Sequence, residues 1–473
     1  MPKLFGFKKV PVPGQPTLPI IGAPKRFYDF LEDPVGVVMR LRKYGDVAAV
    51  VEGSPAIVCV YGADRNREIL NVPGMFQHDE DLFRGPEGSA MRKLRNALVC
   101  INGPMHKRHR KLMQPAFQKS ALDGYAPGIV ETTRQRLATW PVGGIAKLDV
   151  LCRELALCVA VKSLYGLDVR EGVPELGALA AEFVDVFSAP KIILAPINLP
   201  GMPYRHALHL CERITQEFTN LIKEKRRLGG EQRDAMALLM AARDDDDQPL
   251  SDAELIAEAM VLFIAGHETT AMTLTWTLFL LERHPEVLAS VLSELDTVLG
   301  GREPGPEDGS KLVMLDRVIK ESMRLLTPVP VLFLRVCAES VQVGKFTLPK
   351  GANVLVSPLA THHDPDVYQD PRRFKPERWE NTSPPPYAYL PFGAGPRTCV
   401  GLMFAERALR LMLPMILQRY RISIPEGTKI DRLTRANIMM VRDGMPVKIE
   451  PFDRACRIPH PIRGDIHELV DFS

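Results

Sequence analysis

The stretch SDAELIAEAMVLFIAGHETTAMTLTWTLFLLERHP, residues 251 to 285, constrains the fold more than any other part of these 473 residues. Ser251 and Glu254 have capping-box spacing and Pro285 stops the run, so about 32 residues at 1.5 Å rise predict a rod of ~48 Å. The rod is apolar nearly all round and therefore belongs in the middle of a large domain. The acidic run Asp244 to Asp247 just before it reads as a solvated loop whose charge suits the positive end of the helix.

Around this rod the chain is mostly helix-forming. FYDFLEDPVGVVMRLRKYG reads as helix, VAAVVEGSPAIVCVYG as a small hairpin, and 85 to 101 as loop. Residues 106 to 300 are rich in helix, broken at LAPINLPGMPY. LDRVIKESMRLL reads as helix, the segment from Val331 to Ser357 as strands, and 420 to 450 as short strands. The tail 454 to 473 reads as polar and peripheral. No internal repeat suggests a solenoid.

Composition removes several classes of function. A net charge of +3 without long basic tracts lacks the footprint of nucleic-acid binding. No uninterrupted apolar stretch of bilayer length is read, and the proline-broken start lacks a secretory signal, so no transmembrane segment and a cytoplasmic location are expected. The eight cysteines show no CxxC pair, which argues against a zinc ribbon or disulfide scaffold. Seven read as buried small hydrophobes. Cys399 does not.

Cys399 lies in LPFGAGPRTCVGLMFAERAL, between glycines and the start of a helix, two residues after Arg397. Glycines let backbone approach something flat, and a helix N-terminus favours a thiolate. Other constellations also carry polar chemistry in unusual places. AGHETT puts Gly266, Glu268 and Thr269 into the apolar rod, at an expense in helix propensity and burial, although a packing glycine with a back-bonded threonine would produce the same letters. ESMR places Glu321 and Arg324 three apart on one helix face, and KPERW supplies Arg378. GPMHKRHRKLMQPAF offers His106 and Arg110 at i, i+4.

The order of these motifs and the spacing Phe392, Gly395, Arg397, Cys399, Gly401 resemble the cytochrome P-450 family, whose haem loop reads F-x-x-G-x-R-x-C-x-G. The resemblance implies a mainly α fold with a small β lobe, residues 1 to 453 forming a single haem domain. It also implies haem b with Cys399 as the thiolate axial ligand to iron. Phe392 would shield the sulfur, Gly393 would turn the chain under the macrocycle, Gly401 would let the next helix pack close, and Ala265 would lie against the haem. His106, Arg110, Arg335 and Arg397 would pair with the propionates, and Glu268 with Thr269 would carry protons to bound O2. Glu321, Arg324 and Arg378 would form a buried architectural triad. Two features depart from the pattern: Ala408 replaces a usual glutamate, and Pro414 should kink or shorten the cysteine helix.

By the same resemblance the chain would be a monooxygenase that inserts one atom of O2 into a C-H bond, the thiolate favouring O-O cleavage. Electrons would come from a separate ferredoxin or flavodoxin and its reductase. Lys107, Arg108, Lys111, Arg407 and Arg410 would offer an acidic donor a positive face, or simply a solvated one. The pocket would be walled by Phe83, Leu98, Val99, Leu262, Ala265, Val329, Val331, Leu332, Ile438 and Met439, which suits a lipophilic substrate such as a fatty acid, terpenoid or steroid-like ring. The AGHETT and ESMRLLTPVP forms lean toward fatty-acid and lipid hydroxylases over small-terpene enzymes. A peroxide-driven peroxygenase, an isomerase or dehydratase needing no external electrons, and a haem sensor are the alternatives.

Overall fold

The computed structural model describes residues 7–17, 22–72, 74–167, 173–187, 189, 192, 196–229, 234–381, 383–453 and 457–472. Its axis is the helix Asp252–Arg283, hereafter the central helix. Ser251 accepts from the Glu254 N-H and Glu254 reaches back to the Ser251 N-H, so both halves of the capping box are made. The helix is long and apolar enough to cross a bilayer by length and composition. It is instead the core rod. Phe263, Trp276 and Phe279 are fully buried, each side chain contributing roughly 1.5 to 3 kcal/mol by leaving water. The Trp276 indole N-H finds the Met439 carbonyl at 3.1 Å.

Helices Leu148–Tyr165, Pro203–Leu228 and Val313–Leu325 pack along this rod. The cysteine helix, Leu402–Arg419, packs against it and against Lys119–Leu137. Pro414 does not shorten the cysteine helix, which runs five residues further to Arg419. Proline removes its own N-H bond and crowds the carbonyl four residues back, yet the helix continues and the Pro414 ring is buried.

A second lobe is built on a five-stranded sheet in the spatial order Val47–Ala49, Val58–Val60, Asn353–Val356, Arg335–Cys337, Phe76–His78. The first two strands form the expected hairpin, with Val47 opposite Val60. The last pair is antiparallel, and its register sets His78 directly opposite Arg335. That register matters for the site below. The segment read as loop at 85 to 101 contains a helical turn, Ala90–Lys93, capped by Ser89.

The tail corrects its expectation. Residues 454–456, including Cys456, lie outside the described residues, but Ile462, Ile466, Leu469 and Val470 are buried in the main core. Glu468 pairs with the buried Arg432, which also holds Asp33 near the start of the chain. The four apolar residues fall at i, i+4, i+7 and i+8, a helix-like stripe that polar neighbours disguise.

Candidate active site

The loop before the cysteine helix is shaped by its glycines. Gly393 and Gly395 take φ of 67° and 71°, the left-handed region, and a Cβ on Gly395 would sit 2.3 Å from the Leu70 carbonyl oxygen. The Cys399 N-H donates to Phe392 O at 2.9 Å, closing the turn. The Cys399 sulfur accepts from the backbone N-H groups of Gly401 and Leu402. Gly401 is the N-cap with φ of −86°, so what it supplies is this N-H; a Cβ there would stand 3.9 Å from the sulfur. Cys399 lies deep in the molecule yet is exposed, whereas Cys59, Cys100, Cys152, Cys158, Cys211 and Cys337 are buried. Desolvation pushes the Cys399 thiol up, opposed by the two N-H groups and by the charge of Arg110.

Beside this loop is a cluster of cations and imidazoles. Arg397 donates to the carbonyls of Leu98 at 2.9 Å and Ile101 at 2.6 Å and to Asn102 Oδ1 at 2.7 Å. Arg110 donates to Thr398 O at 2.7 Å. The cross-strand pair His78 and Arg335 stands in the same field, as does His106. Burial and Arg397 lower the Arg335 guanidinium to about 9, and burial first and then Arg110 lower Arg397 to about 10. Burial and the neighbouring arginines lower His106 to about 4 and His78 well below the usual histidine value. His78 Nε2, His106 Nε2 and Arg335 Nη1 are buried without a hydrogen-bond partner among the described residues. Crowded positive groups with orphaned polar atoms are what a pair of carboxylates would relieve, so the residues present fit the propionates of a haem ligated at Cys399. His78 is the member the sequence reading missed. No local pattern marks it; only the strand register brings it to Arg335.

The acid and alcohol of AGHETT part company. Thr269 Oγ1 donates to Ala265 O at 2.8 Å, a back-bond within the helix. Glu268 is 2% exposed and turns to the Leu148–Tyr165 helix, where Arg153 Nε lies 2.8 Å from Oε1. His267 Nε2 stands 3.4 Å from the same oxygen. Burial works against ionisation of Glu268, yet His267 and Arg153 outweigh it and hold the carboxyl below its usual range. Arg153 carries no motif and was not anticipated. Ala265, mid-rod and between buried turns, is exposed.

Glu321, Arg324 and Arg378 meet in one buried cluster. Glu321 accepts from Arg324 at 2.8 and 2.9 Å, from Arg378 at 3.0 Å, from the Trp379 indole at 3.0 Å and from the Lys375 N-H at 3.1 Å. Arg324 also donates to the carbonyls of His362, Pro371 and Arg373. Both members of the Glu321–Arg324 pair are fully buried and every oxygen of the carboxylate is used.

Of the expected pocket walls, Phe83, Leu98, Val99, Leu262, Val329 and Leu332 keep partial exposure and Ala265 is open. Met439 and Val331 expose 0% and 2%, and Ile438 exposes 6%: Met439 and Ile438 belong to the main core and Val331 to the sheet lobe. Met439 and Val331 therefore drop out as walls, because neighbouring elements already cover them. The basic face is also altered: Arg108 pairs with Asp244 and Glu254, Lys111 with Asp245, Arg407 with Asp123, and Arg410 with Asp316 and Glu406. Most of its charge is neutralised within the chain, and the run at 244 to 247 supplies two of the partners.

The sequence profile described as "Cytochrome P450" matches residues 12–449. Cyclooctat-9-en-7-ol 5-monooxygenase of Streptomyces melanosporofaciens is 30% identical over 406 residues, covering 84% of this chain and 87% of its own. Pentalenene oxygenase of Streptomyces avermitilis is 27% identical, covering 89% and 93%. Among solved structures, retinoic-acid-bound cyanobacterial CYP120A1 superposes with a TM-score of 0.81 at 26% identity, over 94% of this chain and 100% of that one.

Proposed function

The chain belongs to the cytochrome P450 family and is a monooxygenase of that family, and from that premise we propose that Cys399 is its haem ligand and a lipophilic terpenoid-like molecule its substrate. The observation that carries the ligand assignment is the exposed Cys399 sulfur with two backbone N-H groups aimed at it, beside a cation cluster that lacks its anions. When bound, the haem supplies dioxygen activation and the oxidising power for inserting oxygen into a C-H bond. The Gly401 and Leu402 N-H groups would stabilise the thiolate formed when iron displaces the thiol proton, against the burial that raises the free thiol. Arg335, Arg397, His106 and His78 would hold the propionates, with Arg110 close by at Thr398.

Thr269 and Glu268 handle protons. The Thr269 hydroxyl donates to Ala265 O, which leaves its oxygen lone pairs free to accept from water on the open side of the helix. Glu268 is held ionised by His267 and Arg153 against its burial, so its carboxylate can accept a proton and pass it on once these contacts loosen. This acid-alcohol pair favours O2 and external electrons over peroxide-driven or electron-free chemistry. We assign electron supply to a separate ferredoxin or flavodoxin with its reductase, the kind of partner a P450 monooxygenase uses. The apolar walls and the relatives' names, which specify cyclooctat-9-en-7-ol and pentalenene, favour a polycyclic terpenoid over a fatty acid. A cytoplasmic location suits such an exchange of partners.

The test is turnover with a ferredoxin and reductase added. The expected result is oxygenated terpenoid from the wild type, negligible NADPH consumption without the partners, and peroxide release replacing product in Thr269→Ala. Product formed equally well without any reductant would overturn the monooxygenase assignment to these residues.

A further inference from the structure

Behind the pocket wall lies a second titratable cluster that the proton machinery does not use. His109, 1% exposed, bridges two carboxylates of the central helix: Nδ1 is 2.8 Å from Glu258 Oε1 and Nε2 is 3.0 Å from Glu254 Oε1. Glu258 is fully buried, and the same Oε1 accepts the Leu98 N-H at 2.8 Å. Its Oε2 has no partner among the described residues. Glu258 stands at i with Leu262 at i+4, Ala265 at i+7 and Thr269 at i+11, one stripe of the central helix.

The segment it grips is the hub of the site. Leu98 N-H is held by Glu258, while the carbonyls of Leu98 and Ile101 and the side chain of Asn102 receive Arg397. The Val99 carbonyl lies 2.6 Å from His78 Nδ1, and Asn102 exchanges hydrogen bonds with the His78 backbone. Leu98 and Val99 also wall the pocket in the reading above. A buried carboxylate grips one side of these five residues and the propionate-facing groups grip the other, although burial raises the Glu258 carboxyl against the pull of His109.

We propose that Glu258, clamped by His109, is a positioning residue for the haem: it fixes the Leu98–Asn102 segment that aims Arg397 and His78 at the propionates. This rests on haem binding at Cys399. A doubly hydrogen-bonded His109 needs both N-H groups, so the clamp requires the imidazolium. The two carboxylates hold His109 above its ordinary value against the opposing effect of burial. The other charged or titratable groups around the clamp are Arg108 and His106 on the helix of His109, and the Cys100 thiol beside Glu258. As pH rises through the value His109 has in the fold, one N-H is lost, one carboxylate is left unanswered, and the segment loosens.

The experiment is the rate of haem release from holoprotein to an apo-globin acceptor, measured from pH 6 to 9 for the wild type, Glu258→Gln and Glu258→Leu. Wild type should release haem faster above a midpoint on the alkaline side of the usual histidine value. Glu258→Gln keeps an acceptor for Leu98 but not the charge, so its midpoint should move to lower pH. Glu258→Leu, which loses the hydrogen bonds to a charged group, should release haem on the order of tenfold faster. Profiles that superpose on the wild type, or rates raised equally at every pH, would overturn the proposal and leave Glu258 a packing residue. A wild type that takes up no thiolate-ligated haem would instead remove the cysteine assignment, an outcome read from its spectrum before any release is measured.

Discussion

At the scale of single residues, the site depends on which charges have partners. Glu268 and Arg153 are 115 positions apart in sequence, and nothing in either neighbourhood announces the pair. Glu268 was legible as unusual because a carboxylate in an apolar rod needs a reason; its direction was not, because helix phase alone does not say which neighbour carries an arginine. Arg153→Leu should destabilise the protein by roughly 1 to 3 kcal/mol at neutral pH, less than the ~3 to 5 for a fully buried pair because the Arg153 side chain is 29% exposed. In the wild type the Glu268 carboxyl is depressed, so its contribution is present above the unfolded value and is lost as pH falls through the folded one. Without Arg153 only His267 opposes burial, and the carboxyl shifts toward the neutral acid. The deficit should therefore shrink as pH is lowered toward 4, and urea unfolding at a series of pH values checks it. A deficit independent of pH would mean that Glu268 is not charged in the fold.

At the scale of elements, hydrogen-bond saturation separates the scaffold from the chemistry. Glu321 accepts five hydrogen bonds and Arg324 spends its remaining donors on three carbonyls of the chain between 362 and 373. ESMR and KPERW were readable as separate signals; the three carbonyls and the Trp379 indole were not, because backbone acceptors leave no trace in side-chain identity. Glu321→Ala would strand two guanidiniums in the core, with an expected loss of about 3 to 5 kcal/mol and failure to retain haem, measured by thermal unfolding and by the haem-to-protein absorbance ratio. The central helix lies at the other extreme of legibility. Its cap, length and stop were all local, and the structure places them between Ser251 and Pro285 as the letters indicate.

At the scale of the whole molecule, the two lobes and the tail are tied together by contacts far apart in sequence. Arg432 joins Asp33 to Glu468, and the Phe472 ring packs edge-on against Phe279 of the central helix. The tail was misread because isolated apolar residues among charged ones look like a solvated end; they are buried anchors in and around a short turn, Asp465–Glu468. Deleting residues 462 to 473 should lower the melting temperature by several degrees, since four buried side chains at roughly 1.5 to 3 kcal/mol each leave the core. A melting temperature unchanged from the full chain would show the tail to be dispensable. The cation cluster has the same long-range character: strand register brings His78 to Arg335, and a loop some 300 residues further on brings Arg397.

The central claim is that Cys399 presents a thiolate to haem. The visible difference spectrum of dithionite-reduced protein with and without carbon monoxide, taken on wild type and on Cys399→Ser, tests it most directly. The account predicts a strongly red-shifted Soret band in the wild type that is absent from the serine variant. A band in the histidine-ligated position in the wild type, or a red-shifted band surviving in Cys399→Ser, would contradict it.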